Sequence, residues 1–254
     1  MPRISPGMTV EGASDVTEAD LAQKILARRT GAGTYVVGVT GSVASGKSTL
    51  AARLETLLAE RGAQVERVAT DGFLLPNPVL DARGLTNRKG FPETYDLAAL
   101  ATALAAVRRG PARFPAYSHV TYDLDPAADR TLDKPDILII EGLALGLDRP
   151  PRPGAIDCLV YLDADEAHLE AWFVARFLEF WEAAESDPAS FYARFRTFDR
   201  PGAEALARAV WAGINLPNLL GHISPVRAHA DLVVVKGADH EILDIEEGDQ
   251  GAGG

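Results

Sequence analysis

Tyr35-Val36-Val37-Gly38-Val39-Thr40, running directly into Gly41-Ser42-Val43-Ala44-Ser45-Gly46-Lys47-Ser48-Thr49, is the stretch from which the architecture can be read. The apolar run predicts a buried strand, and the pattern after Lys47 predicts a helix to about Glu60. Between them, Gly41–Ser48 matches G-x-x-x-x-G-K-S/T in full. From average residue usage, a chance match somewhere in such a chain is on the order of one in a hundred. Each position has a physical task. Gly41 and Gly46 permit backbone angles and close approach that a Cβ would block. The amides of the loop, Ser42 to Thr49, and the following helix N-terminus direct positive dipoles at phosphate oxygens. Lys47 supplies a mobile positive charge, and the Ser48 hydroxyl can ligate Mg²⁺. A flexible glycine turn is the blander account of the same residues.

Outward from this unit, short apolar runs alternate with helical patterns. Further strands are predicted at Val65–Ala69, Ile137–Ile140, Leu159–Leu162 and Leu232–Val235. Helices are predicted from Thr17, with Asp20 as capping-box partner, from about Leu97 to Arg108, and through most of 166–220. The near-continuous apolar character of the strands is that of buried parallel sheet. The fold class expected is α/β: a doubly wound, mostly parallel sheet with helices on both faces. Residues 16–237 form one domain in this reading, with 166–220 supplying a lid and acceptor-binding helices. Residues 1–15, rich in Pro, Gly, Ser and Thr, and the acidic 238–254 are expected to be disordered tails.

The chain has 254 residues and a net charge of −11, with an isoelectric point near 4.9. That balance is opposite to the one used by general nucleic-acid binders and by proteins held on anionic membranes. An anionic substrate must therefore be gripped by local cations. No apolar run reaches the ~18 residues of a membrane span, and the start lacks the apolar core of a signal peptide. The single cysteine, Cys158, lies in an apolar strand pattern and fits a reducing, cytoplasmic compartment.

The loop fixes nucleotide binding but not the fate of the phosphate. No Asn-Lys-x-Asp guanine reader follows a late strand, which weighs against a GTPase switch. Asp71 stands directly after the second strand, where ligands gather in a parallel sheet. A carboxylate there can take the proton of an attacking hydroxyl; capping the turn at Gly72 is its blander role. Glu141 ends the Ile137–Ile140 strand and is placed to hold Mg²⁺, with a solvated strand-end glutamate as the alternative.

These segments carry a family resemblance. Thr70-Asp71-Gly72-Phe73-Leu74-Leu75-Pro76-Asn77, Arg83-Gly84-Leu85 and Lys89-Gly90-Phe91-Pro92-Glu93-Thr94-Tyr95-Asp96 resemble the type I bacterial pantothenate kinases. So do Pro115–Asp123, Ile140–Leu143, Trp172–Phe177, Ile214-Asn215 and Pro225-Val226-Arg227. The resemblance implies an ATP- and Mg²⁺-dependent P-loop kinase, usually a homodimer, that phosphorylates pantothenate toward coenzyme A, itself a feedback inhibitor. Carried over by motif, Asp71 would be the general base, and Arg176, with Lys47, would stabilise the transferring phosphoryl group. Tyr117, His119, Tyr122, Phe173 and Asn215 would line the pantothenate pocket. Phe177 and Phe180 would form an apolar wall, and Arg227 would lie near the nucleotide base. Half-buried hairpin tyrosines, a structural histidine, core phenylalanines and a surface arginine are the plainer roles for these side chains.

Three positions depart from the family pattern: Phe173 where tyrosine is usual, Ala144 where asparagine is usual, and Ala52 where a basic residue contacts coenzyme A. Lys89 and His119, also linked to inhibitor binding, are retained. Phe173 and Ala144 leave open a kinase for another small alcohol, such as a nucleoside, a sugar or a glycerate-like molecule. A non-catalytic nucleotide-binding protein is the third reading, for which Asp71 would have no use.

Overall fold

The computed structural model describes residues 16–146 and 155–248. In chain order the elements are α1 (Glu18–Arg28), β1 (Tyr35–Gly41), α2 (Lys47–Ala59), β2 (Val65–Ala69), α3 (Asn77–Ala82) and α4 (Leu97–Val107). Then come β3 (Pro111–Phe114), β4 (Tyr117–Ser118), β5 (Asp123–Leu124), β6 (Arg130–Asp133), β7 (Ile137–Glu141) and β8 (Cys158–Ala164). The chain closes with α5 (Glu166–Ala183), α6 (Arg200–Val210), β9 (Leu232–Lys236) and β10 (Ile242–Glu247).

Six strands form one sheet in the order β10-β9-β8-β1-β7-β2. All neighbours are parallel except β10, which runs antiparallel to β9 at the edge. Residues alternate between the two faces along each strand. On β1, Tyr35, Val37 and Val39 pack with Leu21, Ile25, Leu50 and Leu54 of α1 and α2. Val36 packs instead with Leu100 and Leu104 of α4 and Phe177 of α5. The same split divides Ile137 and Ile139 from Leu138 and Ile140. Both faces are therefore apolar, and helices on both sides are the consequence. Each fully buried Leu, Ile or Val contributes roughly 1.5–3 kcal/mol relative to leaving it in water. The α1 start follows its sequence signal: Thr17 is the N-cap and Asp20 completes the capping box.

Register fixes what stands at the carboxyl edge. Ala69 of β2 pairs with Glu141 of β7, Val39 of β1 pairs with the same Glu141, and Gly41 pairs with Leu162. The phosphate-loop motif, the Asp71 turn and Glu141 consequently emerge side by side. Away from this edge, β3 pairs with β6 and β4 with β5 as two small antiparallel ribbons.

One expectation is corrected. The acidic stretch assigned to a tail from residue 238 turns at Gly237–His240 and returns as β10, with Ile245 buried. Two of its acids are paired: Glu247 meets Lys24 and Arg28, and Glu246 meets Arg227. The expected tail at 1–15 lies outside the described residues, as do 249–254.

Candidate active site

The loop after β1 is built by backbone conformations that few residues accept. Gly46 caps α2 at φ 89°, and a Cβ there would sit 2.9 Å from Lys236 Nζ. Ala44 is also left-handed, at φ 62°. Such turns bring successive amides to one concave side and make an anion cradle. Lys47 Nζ donates to Ser42 O at 2.7 Å across this loop.

The Ser48 hydroxyl donates to Glu141 Oε1 at 2.8 Å. Glu141 is only 7% exposed, so its carboxylate is committed to this corner. Gly142 follows at φ 149°, and a Cβ there would lie 1.9 Å from Thr70 Oγ1, the residue before Asp71. The Glu141 and Asp71 turns can approach this closely only because residue 142 is glycine. Asp71 sits in the 3₁₀ turn Thr70–Phe73 and accepts a hydrogen bond from the Tyr95 hydroxyl at 3.3 Å. Burial, reinforced by the Asp71 charge, holds the Tyr95 phenol well above the usual tyrosine range.

Lys47 feels all of these groups. Burial pushes its ammonium down to about 8, Glu141 and Asp71 oppose that shift, and Arg176 adds to it. Lys47 thus shares an electrostatic neighbourhood with Glu141, Asp71 and Arg176, the last an exposed residue of α5. A hydroxyl in the first turn of α2 and a carboxylate at the end of β7 are the oxygen donors that Mg²⁺ takes. No group of three or more His, Cys, Asp or Glu side chains poised for a metal exists among the described residues.

Two lobes flank the centre. On one side, the tyrosines expected from the β4–β5 ribbon come together: Tyr117 and Tyr122 meet edge to face at 6.0 Å, and exposed His119 sits edge-on to Tyr117 at 5.2 Å. Burial raises the Tyr122 phenol to about 12, with Tyr192 and Asp71 adding and Arg176 opposing. Phe173 and Phe177 lie buried on α5, while Phe180 is 40% exposed. Phe177 and Phe180 both pack on Tyr192, at 5.3 and 5.1 Å. Phe173 packs on Trp211 at 5.9 Å. Asn215 ends a π-helical turn that begins at Trp211, and its buried Nδ2 has no hydrogen-bond partner among the described residues.

On the other side is a pocket of about 460 Å³. Gly46, Thr49 and Leu50 form one wall, Leu162, Val234 and Ile242 another, with Lys236 and His240 at the hairpin tip. Lys236 Nζ donates to Ser45 O at 3.0 Å, and His240 stacks on Trp172 at 3.8 Å. Arg227 is not among the lining residues; its guanidinium is held by Asp163 at 2.6 Å and Glu246 at 2.9 Å.

Sequence reasoning missed Lys236 and His240 because it placed a tail where the hairpin turns. It missed Tyr192 and Tyr95 as lining groups, although the run Phe191-Tyr192-Ala193-Arg194-Phe195 is an aromatic signal of its own.

The family model for the phosphoribulokinase / uridine kinase family matches residues 36–176. A pantothenate kinase from Xanthobacter autotrophicus is 44% identical over 224 residues, covering 83% of this chain and 69% of that protein. One from Streptococcus pyogenes is 41% identical over 218 residues, covering 83% and 71%. Among solved structures, a protein from Silicibacter sp. TM1040 designated a fructose transport system kinase superposes with a TM-score of 0.70 at 29% identity, covering 86% and 98%. A D-glycerate 3-kinase from Cryptococcus neoformans, at 17% identity and a TM-score of 0.59 over 90% and 97%, shares the fold. With its strand–loop–helix cradle, strand-end carboxylates and a matching model over more than half its length, the chain belongs to the phosphoribulokinase / uridine kinase family of P-loop kinases.

Proposed function

We propose that this chain transfers the γ-phosphate of ATP to the primary alcohol of pantothenate, giving 4′-phosphopantothenate on the route to coenzyme A. The observation that carries the reading is the meeting of the phosphate loop, the Ser48–Glu141 pair and the Asp71 turn at one edge of the sheet, where Val39 and Ala69 both align with Glu141. Relatives named pantothenate kinase at 41–44% identity support the choice of acceptor.

In this reading the triphosphate lies in the loop Gly41–Thr49 and the nucleoside in the pocket closed by Lys236 and His240. Asp71 accepts the proton of the attacking hydroxyl as its oxygen bonds to the γ-phosphorus. The bond from that phosphorus to the bridging oxygen breaks, and ADP leaves. Lys47 and Arg176 stabilise charge on the non-bridging oxygens. Ser48 and Glu141 would hold Mg²⁺, which when bound neutralises charge on the β- and γ-oxygens. Asn215, through its unpartnered amide, and the phenols of Tyr117 and Tyr122 would orient the acceptor, with Phe177 and Phe180 excluding water.

The same reading makes the enzyme a cytoplasmic homodimer, with coenzyme A competing through the Lys89 and His119 side. No helix among the described residues is long and apolar enough to cross a membrane. A sugar acceptor is the second reading. Phe173, without the phenol usual in pantothenate kinases, and the likeness to the Silicibacter protein favour it. A panel of alcohols in a coupled ADP assay separates the two. Asp71→Asn should lower kcat by about 10²–10⁴ while the Kd for ATP stays within about twofold. Equal loss of ATP binding would remove Asp71 from the role of base.

A further inference from the structure

The β4–β5 turn holds Tyr122 in the left-handed region, at φ 57°. A bulky aromatic adopts that conformation only where its surroundings impose it. Lys89 Nζ and Asn77 Nδ2 both donate to the Tyr122 carbonyl, at 2.6 and 3.0 Å. The Tyr122 ring stacks on Phe191 at 4.2 Å and 23°.

Asn77, the first residue of α3, spends every polar group of its side chain on this turn. Its Oδ1 accepts from Lys89 Nζ at 2.6 Å, and its backbone N–H donates to Asp123 Oδ1 at 3.1 Å. Asp123 Oδ1 also accepts the Leu124 N–H at 2.9 Å. The Lys89 ammonium lies 4.6 Å from the Tyr122 ring centre and 4.9 Å from that of Tyr117. The Phe191 N–H donates to Val120 O at 2.9 Å, so the turn is also tied to the segment carrying Tyr192.

We propose that Asn77 is a positioning residue for the acceptor cleft: with Lys89 and Asp123 it locks the left-handed turn at Tyr122, aiming Tyr117 and Tyr122 at the space before Asp71. Relaxation of Tyr122 to negative φ swings its ring off Phe191 and loosens both walls of the cleft. The lysine serves here as a donor to two uncharged oxygens, Asn77 Oδ1 and the Tyr122 carbonyl, a role that methionine, without an N–H, cannot fill. The inference rests on the reading of this cleft as the acceptor site, and its test has an arm independent of the acceptor.

In the full chain without ligands, Asn77→Ala is expected to speed hydrogen exchange in peptides covering 117–124 and 189–193, while peptides covering 36–50 keep their protection. In turnover, the acceptor KM should rise about tenfold, the scale of one hydrogen bond to a held group, with the ATP KM within twofold. Asn77→Asp keeps the oxygen for Lys89 and loses the donor to Tyr122, so it should recover part of the acceptor KM. Combining Asn77→Ala with Phe191→Ala should cost no more than the worse single change, because both release one turn. Unchanged exchange at 117–124 overturns the proposal, as does an equal rise of both KM values or full multiplication in the double variant. Should Asn77→Ala fail to fold, exchange in Asn77→Asp decides the same point. If pantothenate is not phosphorylated, the exchange result stands and only the acceptor assignment falls.

Discussion

Raising the pH from 7 to 9.5 is expected to weaken ATP binding through one side chain. Burial holds the Lys47 ammonium down to about 8 from an ordinary 10.5, and the carboxylates of Glu141 and Asp71 only partly offset that against Arg176. At about 1.4 kcal/mol per unit, the displacement is worth roughly 3 kcal/mol against the charged form. The sign follows directly. Below about pH 8 the free protein already carries the ammonium that a triphosphate requires. Above it, ATP must bring in a proton with it, so Kd rises about tenfold per pH unit, or about thirtyfold by pH 9.5. Lys236, whose ammonium burial also depresses, lies across the loop at Ser45 and is the rival lysine to test; Arg53 and Arg176 stay charged over this pH range. Calorimetry of Mg·ATP binding from pH 6.5 to 10, in buffers of two ionisation enthalpies, counts the proton and the affinity together. Lys47→Arg, whose guanidinium stays charged throughout, should bind with a flat profile. Proton uptake that persists in Lys47→Arg, or that vanishes in Lys236→Met, refutes the assignment.

Other outcomes are equally specific. Glu141→Gln leaves Ser48 with a weaker acceptor and removes a carboxylate from the metal corner; the Mg²⁺ needed for half-maximal activity should rise about tenfold or more, and an unchanged Mg²⁺ profile would exclude Glu141 as a ligand. Cys158 is fully buried and its thiol is pushed up to about 12, so at pH 8 a thiol reagent should label it only at the rate of unfolding. Rapid labelling in native buffer would contradict the strand assignment. Trp172→Ala removes the stack on His240 and the indole donor to Ala238 O at 2.9 Å. An aromatic pair is worth about 0.5–1.5 kcal/mol, so the ATP KM should rise about two- to tenfold with the acceptor KM unmoved; the reverse pattern would place the pocket on the wrong side of the loop.

How far the sequence could be read depended on whether a signal was local. Val36, Ile139 and Val160 lie in unbroken apolar runs because both sheet faces are covered, and such runs announce themselves. Glu141 was legible as a carboxylate closing one of those runs, and Asp71 as one following the shorter, half-buried strand Val65–Ala69. β10 was not, because Ile242-Leu243-Asp244-Ile245-Glu246-Glu247 is an edge strand with one buried face. Its acids imitate a solvated tail until Lys24, Arg28 and Arg227 are seen opposite them. His240 and Lys236 then join the site only through the return of that strand. Tyr192 sits in a turn and Asn77 opens a helix too short for periodicity to show; the role of Asn77 depends on a contact 45 residues away, to Tyr122, and Tyr192 meets Phe177 and Phe180 of α5.

The division between these two kinds of residue also explains how one transfer chemistry serves several acceptors. Lys47, Ser48, Glu141 and Asp71 are fixed by strand register, since Val39 and Ala69 both align with Glu141. Shifting any of them means shifting the sheet, so the phosphoryl-transfer geometry is rigid. In the proposed reading the groups facing the acceptor come from α5 and from two excursions outside the main sheet, the β4–β5 turn and the turn Phe191–Phe195. Such segments change at low cost to the core. Phe173 is the instructive case, since it is buried against Trp211 and replaces a phenol without disturbing any strand. If the proposed cleft is the acceptor site, substitutions at Phe173, Tyr117, Tyr122 and Tyr192 should redirect the alcohol before they impair the transfer, which an acceptor panel in a coupled ADP assay checks.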